Sequence, residues 1–180
     1  GEPTNCELAV AEKGLMVLDC TAYGVSGHAA RNTGVNAIDK AIHNILWFHS
    51  FQFPETSPHL GPIKMTTTLI NAGTQHNVIP DRCTFVVDIR TTDAYSHEEI
   101  LSIIRANVDC EIVPRSTRLR PSSIHEQHPI VKAARQCSIP TFASATLSDQ
   151  AVMPFSSVKI GPGLSERSHT ANEYIRFSEI

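Results

Sequence analysis

His28 lies in the stretch Val25-Ser26-Gly27-His28-Ala29-Ala30-Arg31-Asn32-Thr33-Gly34-Val35-Asn36-Ala37-Ile38. The stretch begins as a strand, turns at small residues and opens a helix. An imidazole at such a turn serves neither a sheet nor a core, so the spacing presents it to a substrate. His169 follows Ser168 in a similar turn; for both residues an ordinary packed or surface histidine is the alternative. The chain has nine histidines. His43 and His49 fall inside a helical period and read as packing residues, and His59, His97, His125 and His128 fall in loops or near caps. No HExxH, CxxC or HxH spacing marks a metal site. Gly24-Val25-Ser26 nearly opens a serine nucleophile elbow, but His28 stands where that motif needs glycine. Gly161-Pro162-Gly163 does not suit a phosphate cradle, because proline removes a backbone donor and no Lys-Ser/Thr follows. Arg90 can hold a carboxylate by a bidentate pair; a solvated arginine beside Asp88 is the alternative.

The elements that must position these residues follow from period. Residues 7–13 alternate as a strand, Gly14 breaks it, and 15–23 form a second strand, so 7–23 reads as a hairpin. From Asn36 the period becomes helical, with Ile38, Ala41, Ile42, Ile45, Leu46 and His49 on one face and Lys40, His43 and Asn44 on the other. Residues 54–62 are a loop, 64–73 a strand, and 74–81 a polar connection. Cys83, Phe85, Val87 and Ile89 then alternate with Thr84, Val86, Asp88 and Arg90, which puts Arg90 on the face away from the core. Ser96 and Glu99 form a capping box for a helix over 97–107, followed by a short strand over 109–113. This order predicts an antiparallel sheet with two helices on one face, a split βαβ arrangement. Residues 114–123 read as a linker. Beyond it the pattern predicts a helix over Pro129–Gln136, a strand over 140–145, a short helix over 150–153 capped by Ser148-Asp149, and a strand over 157–160. These last elements are too few to bury a core alone.

A net charge of −3 argues against nucleic acid or an anionic membrane as partner. No apolar run approaches the ~20 residues of a membrane helix. The five cysteines, 6, 20, 83, 110 and 137, are scattered, which fits reduced thiols and a cytoplasmic location. The chain opens at Gly1-Glu2-Pro3-Thr4 and is expected to be a piece of a longer protein.

Six motifs occur in series: Gly1-Glu2-Pro3-Thr4; Gly27-His28-Ala29-Ala30 with Gly34-Val35-Asn36-Ala37-Ile38; Asn77-Val78-Ile79-Pro80 with Asp88-Ile89-Arg90; Ser148-Asp149; Gly161-Pro162-Gly163; and Ser168-His169-Thr170-Ala171-Asn172-Glu173-Tyr174. Together they resemble the M20 metallopeptidase family across essentially the whole chain, and the last two look most like its acetylornithine deacetylase branch. The resemblance implies an α/β (α+β) fold: a ferredoxin-like, two-layer lid or dimerisation domain joined to part of a zinc-peptidase-like catalytic domain. Residues 1–5 would end an N-terminal catalytic segment, 6–116 would be the lid, and 117–180 would begin the returning catalytic segment.

The resemblance also implies roles. Glu2 and His169 each look like a ligand of one of two zinc ions per full-length subunit, with cobalt as an alternative metal. His28 looks like a lid histidine reaching the partner subunit's active site in a homodimer to steady an oxyanion. Asn77, Arg90 and Gly163 look like substrate-binding residues. The implied reaction is removal of an N-acetyl group from an ornithine-like amino acid in arginine biosynthesis. Alternatives are another M20 activity, such as N-succinyl-ornithine, N-acetyl-citrulline or succinyl-diaminopimelate deacylation or dipeptide cleavage, or a non-catalytic dimerisation or binding module. The family's His-x-Asp, bridging Asp and Glu-Glu pair would lie upstream of Gly1. The chain alone is therefore expected to be inactive and unable to hold both zincs. Thr146-Leu147 stands before Ser148-Asp149 where desuccinylases tend to carry Gly-Thr, which leaves the acyl group open.

Overall fold

Two-residue alternation builds the main sheet. The computed structural model describes residues 2–31, 33–168 and 170–180. Strand β1 is Leu8–Glu12, β2 Gly14–Tyr23 and β3 Gly27–His28; helix α1 is Ala37–Ser50. Then follow β4 (Lys64–Ala72), β5 (Val78–Ile79), β6 (Arg82–Thr91), α2 (His97–Asn107) and β7 (Glu111–Pro114). The chain continues with β8 (Ser122–Ser123), α3 (Pro129–Gln136) and β9 (Thr141–Ser144). Four strands pair in the order β4-β6-β2-β7, all antiparallel. With α1 after the first of these strands and α2 after the third, this is the split βαβ topology. Met16, Leu18, Cys20 and Ala22 of β2 and Cys83, Phe85, Val87 and Ile89 of β6 face one cluster, which also contains Ala37, Ala41 and Phe48 of α1 and Ile100, Leu101 and Ile104 of α2. Both helices therefore cover the same face. The Ser96–Glu99 capping box is formed as expected.

Helix α1 is rotated from its expected setting. Its buried positions are Ala37, Ala41, Asn44 and Phe48. Asn44 tolerates burial because its amide donates to the Lys40 carbonyl at 2.8 Å and accepts from the Asp109 N–H at 2.8 Å. Small alanines let the helix approach the sheet on that side. Ile42 and Leu46, expected inside, are 45% and 56% exposed.

The hairpin expected over 7–23 does not form. β1 pairs with β8 and β9 in a second sheet, in the order β8-β1-β9, while β2 belongs to the first. Lys13-Gly14 carries no reversing turn, so the chain runs straight from one sheet into the other. Residues 8–12, expected in the lid, thus share a sheet with strands beyond residue 117. Gly14 marks the crossing: a Cβ there would lie 2.4 Å from Thr91 Oγ1, 2.5 Å from the Pro121 nitrogen and 2.7 Å from the Leu119 oxygen. The polar connection 74–81 contains β5, paired with β3, and the linker 114–123 contains β8. The strand expected over 157–160 is reduced to one bridge, Ala9 to Lys159. A small cluster of Leu8, Ile124, Val131 and Ala134 supports this second sheet.

Where β1 ends, Glu12 and Lys159 form a buried ion pair at 2.6 Å. The Lys159 ammonium also donates to Ser144 Oγ at 3.1 Å, and the Glu12 carboxylate accepts from Ser148 Oγ at 2.7 Å. No helix among the described residues is long and apolar enough to cross a membrane.

Candidate functional site

His28 closes β3 and is exposed, at the tip of the first unit. Its backbone partner is Val78 of β5, and the neighbouring Ala29 N–H donates to the Asn77 carbonyl at 3.0 Å. The two short strands thus bring His28 and Asn77 together. Gly34 makes this possible: its φ is +97°, and a Cβ on Gly27 would lie 2.3 Å from the Thr33 oxygen.

The hydrogen bonding of the imidazole fixes its chemistry. The Ala30 N–H donates to His28 Nδ1 at 3.1 Å. A backbone N–H cannot accept, so Nδ1 must offer its lone pair, and the neutral ring carries its proton on Nε2. The exposed nitrogen is therefore a donor, as an oxyanion contact needs.

Arg90 does lie on the face away from the core. It is bound within the chain, Nε donating to Asp88 Oδ1 at 2.8 Å and Nη2 to Oδ2 at 3.1 Å. The carboxylate its fork meets here is therefore its neighbour's. Arg90 pairs with Leu15 beside the sheet crossing, whereas Tyr23 pairs with Arg82 at the other end, next to β3 and β5. Eight residues at about 3.3 Å each put roughly 26 Å between these ends. One protomer does not bring Arg90 to His28 and Asn77.

Glu2 and Gly163 adjoin each other in the second unit. Thr4 N and Cys6 N both donate to the Gly161 carbonyl, at 3.1 and 2.9 Å, and Asn5 N donates to the Gly163 carbonyl at 2.7 Å. A Cβ on Gly161 would lie 2.4 Å from the Glu2 oxygen, so glycine is what lets the Gly-Pro-Gly loop close on this segment. Gly163 has φ +87°. With Pro3, Leu164, Arg167, Tyr174 and Ile175 it lines a cavity of about 500 Å³. Arg167 is fixed there by a bidentate pair with Glu179, at 2.7 and 2.9 Å, and sits 4.5 Å from the Tyr174 ring centroid. Glu2 is exposed. His169, the second metal ligand expected, lies outside the described residues. Among the described residues no three His, Cys, Asp or Glu side chains group as a metal site. The donor set here does not amount to a zinc centre.

Sequence reasoning missed an apolar patch. Ile42 and Leu46 of α1 lie beside β4, the edge strand, whose Ile70 is 57% exposed; Leu69, 63% exposed, pairs with Val86 and so lies on the opposite face of the sheet. A register shift between Thr67 and Leu69 interrupts β4, and beyond it Ile70 pairs with core-facing Phe85, on the helix side. The signal was present in the i, i+4 pair Ile42 and Leu46, but it reads identically for a core and for an interface.

A family model described as the peptidase dimerisation domain of M20 enzymes matches residues 10–116. The chain belongs to the M20 peptidase dimerisation-domain family. Two curated relatives of this M20 chain are succinyl-diaminopimelate desuccinylases. That of Paracoccus denitrificans is 31% identical over 117 residues, covering 59% of this chain and 30% of the relative. That of Dinoroseobacter shibae is 27% identical over 115 residues, covering 58% and 30%. Among solved structures, aminopeptidase PepT of Bacillus cereus superposes with a TM-score of 0.71 at 16% identity, covering 91% of this chain and 47% of the other. A tripeptidase of Staphylococcus aureus gives 0.69 at 17% identity, covering 91% and 47%. The M20 chain thus spans about half the length of these structures, and the curated matches cover under a third of each relative.

Proposed function

We propose that this chain supplies the lid and part of the catalytic unit of an M20 amidohydrolase that removes an acyl group from an N-acylated amino acid. The observation that carries the reading is the fixed Nε2–H donor of His28, exposed at the lid tip. Water adds to the acyl carbon, charge develops on the amide oxygen, and Nε2–H of His28 donates to it. A preorganised donor of this kind contributes about 2.7–4 kcal/mol to the barrier. Asn77 holds the substrate from the same loop. Arg90 takes the substrate's carboxylate, exchanging its bond to Asp88 for one to the ligand. Gly163 contacts that substrate from the loop beside Pro3. The divalent metal expected of M20 enzymes would need ligands beyond Glu2 and His169, supplied by parts of the full-length protein outside this chain.

The separation of Arg90 from His28 gives the reading its geometry. Groups at opposite ends of a sheet roughly 26 Å long cannot grip one small molecule, so a second protomer must deliver His28 and Asn77 to the Arg90 end. The apolar patch of Ile42, Leu46 and Ile70 along the unpaired edge strand β4 is the surface on which that homodimer forms.

The two succinyl-diaminopimelate desuccinylases this chain is similar to favour a succinyl substrate, and the Gly-Pro-Gly and Ser-His-Thr-Ala-Asn-Glu-Tyr segments favour an acetyl group on an ornithine-like amino acid. Comparing the full-length protein's hydrolysis of N-succinyl-diaminopimelate and N-acetylornithine separates them. In that protein, His28→Ala lowers kcat by about 10²–10³ with metal content unchanged. Mixing it with an Arg90→Ala protein restores roughly a quarter of wild-type activity, because half the dimers are mixed and each regains one site. Unaltered kcat removes His28 from the mechanism, and no restoration on mixing removes the shared site.

A further inference from the structure

We infer that the cleft between residues 118–123 and 150–157 binds a small phosphate monoester with an apolar or aromatic body. Arg118 and Arg120 stand on one wall of this cleft, which has a volume of about 680 Å³, and Gln150, Met153, Phe155 and Ser157 stand on the other. Among the described residues no aspartate or glutamate lines it. Arg118 makes no ion pair among the described residues. Arg120 reaches only Glu98, at 3.9 Å, with the two side chains 68% and 67% exposed, and so open a contact contributes little. The cleft therefore carries two positive charges that the chain does not neutralise, which is the balance a dianion calls for. Two guanidinium forks also match the geometry of phosphate oxygens.

Both walls are fixed by the chain itself. The Arg118 N–H donates to Ser116 Oγ at 3.2 Å, and the Arg120 N–H donates to the Arg118 carbonyl at 3.0 Å. The Arg120 N–H also reaches the Ala151 carbonyl at 3.4 Å, which joins the arginine segment to the facing loop. Leu119, between the arginines, accepts from the Leu15 N–H at 2.9 Å. Across the cleft Gln150 is buried, and its Nε2 donates to Ser157 Oγ at 2.8 Å. Ser157 accepts in that bond, so its own O–H is left to donate. A backbone held in this way lowers the ordering cost of binding. Beside the charged groups lie three apolar side chains open to solvent: Val152, Met153 and Phe155, the last 66% exposed. They give the body of the ester a surface to cover, and Phe155 gives an aromatic body a ring to stack on. Inorganic phosphate would use the arginines and leave that surface bare. The volume falls within the roughly 300–1,000 Å³ of small-molecule sites.

The test labels the methionine methyls of the full-length protein with carbon-13 and follows them by NMR at low ionic strength and about pH 8, where a phosphate monoester is a dianion. Met153 lines the cleft, whereas Met16 is fully buried in the core of the first sheet. Phenyl phosphate should shift the Met153 methyl saturably and leave Met16 in place. Benzoate, a monoanion with the same ring, and inorganic phosphate, a dianion without it, should each need about tenfold more. Benzyl alcohol should give no saturable shift. Arg118→Gln and Arg120→Gln should each weaken phenyl phosphate about tenfold. An unmoved Met153 methyl, any of the other three compounds matching phenyl phosphate, or undiminished binding in the two variants overturns the proposal. A Met16 methyl at its wild-type position shows that a variant has folded, and the four titrations of the wild-type protein decide even where one has not. The readout is binding at Met153, so it stands apart from any hydrolytic activity.

Discussion

His97 ties the end of β6 to the segment that returns towards the second sheet, and its removal or protonation should loosen that tie. It is 2% exposed. Its Nδ1 lies 3.0 Å from the Thr117 carbonyl, which can only accept, so Nδ1 carries the proton. Its Nε2 then accepts from Thr91 Oγ1 at 3.0 Å. Thr91 ends the last long lid strand and Thr117 opens the return to the second sheet. His97→Ala strands one fully buried hydroxyl and one half-buried carbonyl, a loss of roughly 2–4 kcal/mol. Burial holds the His97 pKa below its ordinary value, against the Thr117 carbonyl and Glu98, which raise it; Arg120 lowers it further. The unfolded ring titrates near 6.5. Above that value both states are neutral and stability is full. As pH falls below it the unfolded chain binds a proton that the folded chain refuses, and stability declines until the folded pKa is reached. One proton limits the slope to about 1.4 kcal/mol per pH unit. The carboxylates held down by partners, Asp19, Glu99, Glu126 and Glu179, act only below about pH 4.5, so the window from about 6.5 to 5 isolates the imidazole. Urea unfolding across that window should show the decline in wild type and a flatter profile in His97→Gln, which does not titrate. Equal slopes in the two proteins would refute the reasoning, whatever His97→Ala does.

Three further outcomes follow from particular contacts. Lys159→Met leaves Glu12 charged and buried, and should cost about 3–5 kcal/mol in urea unfolding, much of it recovered by adding Glu12→Gln; additive losses would argue against a coupled pair. Gly14→Ala drives a methyl into the Thr91 hydroxyl and the 119–121 backbone, so its thermal midpoint should fall by the equivalent of about 1–3 kcal/mol, and an unchanged midpoint would mean the crossing is loose. Leu46→Asp or Ile70→Asp in the full-length protein should convert dimer to monomer in sedimentation and abolish activity, while a dimeric Ile70→Asp protein would move the interface elsewhere.

Much of the dimerisation domain was readable because its elements obey single local rules. Alternation along β6 placed Arg90 on the outer face, and the Ser96–Glu99 pair marked the start of α2. What failed were decisions that local pattern cannot make. Residues 7–13 and 15–23 are both strands, yet nothing in their alternation says that consecutive strands enter different sheets; only the absence of a turn at Lys13-Gly14 hints at it. In α1 the amphipathic period was correct and its phase was not. Two alanines and a hydrogen-bonded Asn44 face the sheet, and two branched apolar residues face out. Hydropathy ranks Ile42 and Leu46 as core because it does not register which side of a helix the sheet lies on.

The candidate site shows the same division in sharper form. Residue type and turn setting singled out His28, and Gly161-Pro162-Gly163 stood out as a tight loop. Neither revealed distance. Strand register does: β2 and β6 pair from Gly14 with Thr91 to Tyr23 with Arg82, which sends Arg90 and His28 to opposite ends of one sheet. Residue types can thus single out candidates without giving the distance between them, whereas the resemblance had already put His28 in the partner subunit's site. The proposed division of the binding groups and the exposed patch on α1 and β4 therefore stand or fall together, because a site divided between two copies requires a surface that joins them.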